Sequence, residues 1–124
     1  MLNVLVIEAD DALRAVLTEM VEAVGGTSVG SVADVAEGIN VLRRGGIDVL
    51  IVDVLLLIRQ SSGETNPLRD LDPNVKVVVL AGDVAPEPET AERARKLLHG
   101  KIVLSKPVLL EALRAALRQP EGDH

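Results

Sequence analysis

The sequence Asp48-Val49-Leu50-Ile51-Val52-Asp53 places four consecutive apolar residues between two aspartates. A short apolar run that is rich in β-branched residues and bounded by polar ones is typical of a strand buried on both faces of a sheet. Similar runs at residues 2–7 and 75–80 predict two more strands of this kind. Strands that are buried on both faces of a sheet need a layer of helices on each face, so the sequence predicts a layered α/β domain.

Segments with helical spacing of apolar residues alternate with these strands. After the first strand, Leu13, Leu17 and Met20 lie on one predicted helix face, which Gly25-Gly26 ends. Further helices are predicted around residues 35–44, 91–98 and 108–118, with a more polar edge strand at 27–31 and a last strand at 102–104. Five strands alternating with five helices predict an open, doubly wound parallel sheet.

The segment between the third and fourth strands is the least regular part of the chain. Ser61-Ser62-Gly63 and Asn66-Pro67 interrupt it, so we expect only a short third helix near residues 65–71. We expect one domain over residues 1–118 and a flexible tail over residues 119–124, because the last six residues carry no periodic apolar pattern.

Composition excludes several classes of function. The 124 residues include no cysteine and no aromatic residue, and the formal net charge is −6. A thiolate metal site and a cysteine nucleophile are therefore absent, and nucleic acid is an unfavourable partner because of repulsion and the lack of stacking rings. The first apolar run ends at Glu8 and is too short for a signal peptide or a membrane span. We therefore expect a cytoplasmic protein that does not bind membranes.

Acidic side chains follow two of the predicted strands. Glu8 and Asp10 come just after the first strand, and Asp53 ends the third. In open parallel sheets, ligands bind outside the carboxyl ends of the strands, so we expect these side chains to share one site. Each has a simpler interpretation too, because carboxylates also cap helices and turns.

The chain resembles the receiver domain of two-component response regulators. The resemblance rests on residues 4–8, 48–53, 77–80 and Leu104-Ser105-Lys106-Pro107, which occur in the order and near the spacing of that family. It covers essentially the whole chain and implies a flavodoxin-like (βα)5 fold with the strand order 2-1-3-4-5.

The resemblance also implies a site and a function. Asp53 corresponds to the phosphoacceptor, Lys106 to the phosphoryl contact, and Glu8, Asp10 and Asp53 to Mg²⁺ ligands, together with the backbone carbonyl of Leu55. The Lys106-Pro107 peptide bond is expected to be cis. The implied function is phosphorelay signalling rather than enzymatic catalysis, with a histidine kinase or phosphotransfer protein as donor, a downstream protein as partner, and a weak homodimer as a further expectation.

Several positions depart from the family pattern. Ala9 stands where a second acid is usual, so we expect weak Mg²⁺ binding. Ala81 replaces the usual hydroxyl residue, Val103 the usual aromatic residue and Leu57 the usual proline. The alternative is therefore a degenerate receiver that acts as a phosphorylation-independent protein interaction module. A small flavodoxin-like enzyme or nucleotide binder ranks last, because no glycine-rich loop follows the first strand.

Overall fold

The computed structural model describes residues 1–60, 68, 71–82 and 88–120. Its strands are β1 (Asn3–Ile7), β2 (Thr27–Val32), β3 (Val49–Asp53), β4 (Lys76–Ala81) and β5 (Ile102–Ser105). Its helices are α1 (Asp11–Ala23), α2 (Val35–Arg43), α3 (Val54–Gln60), α4 (Pro88–Leu98) and α5 (Leu110–Arg118). All strand pairs are parallel and the order is β2-β1-β3-β4-β5, which confirms the predicted fold class.

The central strands are buried on both faces because their residues alternate between two apolar cores. In β1, Val4 and Val6 face the core formed with α1 and α5, while Leu5 and Ile7 face the core formed with α2, α3 and α4. The same alternation runs through β3 and β4. Side chains alternate between faces along a strand, so a continuous apolar run fills both cores.

Helix α3 is an element that the sequence analysis did not place. It begins at Val54, directly after β3. Its apolar run places Val54, Leu57 and Ile58 on one buried face, the i, i+3, i+4 spacing of a helix. Of the segment where we expected the helix, only Leu68 and Leu71 belong to the described residues.

The other elements agree with the sequence to within a few residues. Helix α5 ends at Arg118, and of the expected tail only Gln119 and Pro120 are described, while residues 121–124 lie outside the described part. None of the helices that the structure describes combines the length and the apolarity needed to cross a bilayer.

Candidate functional site

Three charged side chains meet at the carboxyl edge of the sheet. Glu8 directly follows β1, Asp53 is the last residue of β3, and Lys106 directly follows β5. Because all five strands are parallel, these ends lie along one edge, although Glu8 and Lys106 are 98 residues apart in sequence. This edge is where open α/β sheets place their ligand sites.

Lys106 bridges the two carboxylates. Its Nζ donates to Glu8 Oε1 at 2.6 Å and also to Asp53 Oδ2. Glu8 is 3% exposed and Asp53 is 7% exposed, and they are the two buried charged residues of the described chain. Two buried negative charges repel each other strongly, so the shared cation is what makes their burial tolerable.

Backbone amides complete the arrangement. The amide of Asp10 donates to Glu8 Oε2 at 3.0 Å, and the amide of Leu55 donates to Asp53 Oδ1 at 2.7 Å. Each of the four carboxylate oxygens therefore has at least one donor. Such charge-assisted bonds fix the orientation of both carboxylates before any ligand arrives.

Two backbone features fix the position of Lys106. Its amide donates to the carbonyl of Ala81 at 2.9 Å, and the Lys106-Pro107 peptide bond is cis, as expected. Burial by itself lowers the pKa of the Lys106 ammonium, but the hydrogen bonds and the negative charges of Asp53 and Glu8 outweigh burial and raise that pKa above its ordinary value. Lys106 is therefore a permanent cation of the site at neutral pH.

The structure gives Asp10 a different place from the other two acids. Its Oδ1 accepts the amide of Leu13 at 3.0 Å and so caps α1, and the residue is exposed. The carbonyl of Leu55 lies in the first turn of α3, where helical carbonyls point toward the far end of the helix and away from Asp53. The structure thus brings together Glu8, Asp53 and Lys106, but not these two groups.

The donor set fits Mg²⁺ only in part. Glu8 and Asp53 offer carboxylate oxygens, the hard donors that Mg²⁺ prefers, and one or two carboxylates plus waters is a usual protein contribution. Ala9 adds no oxygen, and Lys106 already lies between the two acids. Within the described residues, no group of three or more metal-ligating side chains occurs. Any Mg²⁺ would have to share both carboxylates with Lys106.

Arg14 helps to position Glu8, and the sequence analysis did not identify this role. Its Nη1 donates to the backbone carbonyl of Glu8 at 2.7 Å, and its Nη2 contacts Asp11 Oδ1 at 2.5 Å. These contacts hold the turn between β1 and α1 that aims the Glu8 carboxylate. The Asp11 and Arg14 spacing of i, i+3 was a visible signal for an ion pair, but the Glu8 contact was not.

A cleft of about 670 Å³ lies between the site and α4. Its site wall includes Asp53, Ala81, Gly82 and Lys106, and its α4 wall includes Ala94 and Leu98. We call it the α4 cleft. The methyl group of Ala81 supplies no hydrogen-bond donor to it, and Val103, on the exposed face of β5, is 42% exposed.

Comparison with known structures supports the same fold. A receiver domain from Clostridium thermocellum is 22% identical and has a TM-score of 0.74, with 95% of this chain and 92% of that chain covered. The receiver domain of a modulated diguanylate cyclase from Desulfovibrio desulfuricans is also 22% identical, with a TM-score of 0.70 and coverage of 94% and 90%. A Burkholderia pseudomallei response regulator, solved with a phosphorylated aspartic acid and a calcium ion, is 25% identical, with a TM-score of 0.64 and coverage of 94% and 66%. The comparison with curated proteins finds no significant match.

The strand order is that of a flavodoxin-like α/β domain, and the cluster of two acids and a lysine lies at the edge where such domains bind ligands. The family model described as the response regulator receiver domain matches residues 4–118. The chain therefore belongs to the response regulator receiver domain family.

Proposed function

We propose that this receiver domain accepts a phosphoryl group on Asp53 from a histidine kinase or a phosphotransfer protein. The observation that carries the proposal is the bridge from Lys106 to Glu8 and Asp53 at the carboxyl edge of the sheet. It combines a carboxylate nucleophile with a fixed cation at the place where the incoming phosphoryl oxygens would carry negative charge.

The residues of the chain act mainly by positioning. Attack of an Asp53 oxygen on phosphorus forms an acyl phosphate while the bond from phosphorus to the donor nitrogen breaks. Both Asp53 oxygens accept a hydrogen bond, Oδ1 from the Leu55 amide at 2.7 Å and Oδ2 from Lys106. Oδ2 becomes the nucleophile in this proposal when Lys106 shifts its hydrogen bond to an oxygen of the incoming phosphoryl group, where its charge offsets the negative charge.

Mg²⁺ is the cofactor of this proposal, and Glu8 and Asp53 would hold it, weakly. A bound Mg²⁺ neutralises charge on the phosphoryl oxygens. The domain is cytoplasmic in this proposal, its partners are the phosphodonor and a downstream protein, and a weak homodimer is compatible with it. Nucleic acid and membranes are not partners, in keeping with the net charge of −6.

Intact-mass measurement after incubation with acetyl phosphate and Mg²⁺ tests the proposal. We expect the parent protein to gain one phosphoryl group and Asp53→Asn to gain none. The matched control is Asp10→Asn, which changes an acid that caps α1 outside the cluster and should leave phosphorylation at the parent level. Phosphorylation of Asp53→Asn at the parent level would contradict the assignment.

The second candidate is a phosphorylation-independent interaction module. It is favoured by Ala9, Ala81 and Val103, which lack the carboxylate, the hydroxyl and the ring usual at these positions. A parent protein that stays unmodified by acetyl phosphate and by a phosphorylated phosphotransfer protein would select this candidate. In that case, Asp53→Asn should leave binding of the downstream partner unchanged.

A further inference from the structure

Helix α4 is the one helix of the described fold without a buried side chain. Its residues Ala94, Leu97 and Leu98 are partly buried and pack against the core that α3 also covers. On the site side, the α4 cleft separates it from Asp53 and Lys106. Elements with few buried contacts open and shift at low free-energy cost, so α4 is the element that a small change at the site can move.

A chain of hydrogen bonds nevertheless joins Asp53 to α4 through α3. At one end of α3, Asp53 Oδ1 accepts the amide of Leu55. Near the other end, the carbonyl of Ile58 accepts Nη2 of Arg93 at 2.9 Å, and Arg93 lies on α4. The two residues of α3 that make these bonds, Leu55 and Ile58, are less than one helical turn apart.

Helix α3 is built to transmit a displacement between these ends. Val54, Leu57 and Ile58 are buried against the sheet, and close-packed interiors pass on small shifts because they do not compress. A change in the charge of Asp53 would alter its bond to the Leu55 amide at the start of α3. A shift of the packed helix would then move the Ile58 carbonyl relative to Arg93.

We propose that Arg93 is the positioning residue that carries a change in the charge of Asp53 to α4, by way of α3. The route would serve in place of the hydroxyl and the ring that Ala81 and Val103 lack, and it requires that the bonds at Leu55 and Ile58 differ between the two charge states. As a signalling route it rests on the proposed phosphorylation of Asp53, but the coupling itself does not.

Backbone amide shifts measured by NMR test the coupling without phosphorylation. Asp53→Asn removes the charge and keeps the shape, and it is made in the parent protein and in an Arg93→Gln background. In the parent background we expect shifts at Leu55 and along α4. In the Arg93→Gln background we expect the Leu55 shift to remain and the α4 shifts to fall to the level seen in β2, the distant edge strand.

Two variants control for charge and for folding. Arg95→Gln removes the same charge from the same helix, but Arg95 pairs with Glu92 within α4, so the α4 response should persist. Arg93→Lys keeps a donor that can reach the Ile58 carbonyl and should restore part of the response. An unchanged α4 response in Arg93→Gln, or a lost response in Arg95→Gln, would overturn the proposal.

A beryllofluoride experiment separates this proposal from the proposed function. Beryllofluoride with Mg²⁺ should shift the Leu55 amide in the parent and in Arg93→Gln, and the α4 amides only in the parent. Absence of any shift at Leu55 would count against Asp53 as a phosphoacceptor, whereas the Asp53→Asn comparison would still decide the role of Arg93. Absence of an α4 response to Asp53→Asn in the parent would refute the coupling itself.

Discussion

Replacing Lys106 by Met removes the shared cation of Glu8 and Asp53 while it keeps most of the aliphatic stem. Removing one partner of a buried ion pair costs roughly 3–5 kcal/mol, because the remaining charge is left uncompensated. Two carboxylates are left here, which increases the cost, but the Lys106 side chain is 23% exposed, so solvent screens part of the interaction. We therefore expect a loss of about 3 kcal/mol in the free energy of unfolding, or about 10 °C in Tm for a domain of this size.

Far-UV circular dichroism with urea or heat is the suitable assay, because the chain has no Trp, Tyr or Phe for fluorescence. Lys101→Met is the matched control, since it makes the same chemical change at a partly exposed lysine outside the cluster. Adding Asp53→Asn to Lys106→Met should recover part of the stability, because it removes one of the two repelling charges. A Lys106→Met protein within about 0.5 kcal/mol of the parent would refute the reasoning.

The stability difference between the parent and Lys106→Met should also depend on Mg²⁺ and on pH. Mg²⁺ should raise the Tm of Lys106→Met more than that of the parent, because the lysine no longer competes for the two carboxylates.

Folding raises the pKa of Lys106 above its ordinary value of 10.5, despite the opposing effect of burial, because Asp53 and Glu8 bond to the ammonium. The stability from Lys106 is then fully present below pH 10.5 and is lost as pH rises through the higher pKa of the folded state. The stability difference between parent and Lys106→Met should therefore narrow above pH 10.5, and a constant difference would contradict the ion-pair origin.

Three further substitutions test other parts of the structure. Ala9→Asp adds a carboxylate beside the site and should tighten Mg²⁺ binding about tenfold, or roughly 1.4 kcal/mol, in an NMR titration; no gain would show that this position does not reach the metal. Gly38→Ala should cost about 1–2 kcal/mol in urea unfolding, because its Cβ would overlap Ile7 Cδ1 and lie 2.9 Å from Ile7 Cγ1; equal stability would mean that Ile7 moves freely. Lys76→Met should cost about 1–2 kcal/mol and speed hydrogen exchange in the last turn of α5, since Nζ donates to the carbonyl of Leu117 at 2.7 Å; unchanged exchange would argue against this cap.

The fold followed from the sequence because its signals are local. Apolar runs such as residues 48–53 fix strands that are buried on both faces, and helical spacing such as that of Leu13, Leu17 and Met20 fixes the helices between them. The parallel arrangement then requires strand-end residues to share one edge, so Glu8, Asp10 and Asp53 could be grouped before the structure was known, whereas Lys106 was added by the resemblance to the receiver family. Helix α3 was not predicted over residues 54–60, because an apolar run as short as residues 54–58 does not by its periodicity separate a helix from a strand.

The partners of each side chain were decided only by the tertiary structure. Asp10 and Glu8 are two residues apart in sequence, yet one caps α1 and the other binds Lys106, because the turn after β1 aims them in different directions. Arg93 has charged neighbours on a polar helix, yet it donates to the carbonyl of Ile58 on the adjacent helix. Periodicity encodes which face of an element is buried, whereas the contacts of a long charged side chain depend on how separate elements pack, and a local pattern does not contain that information.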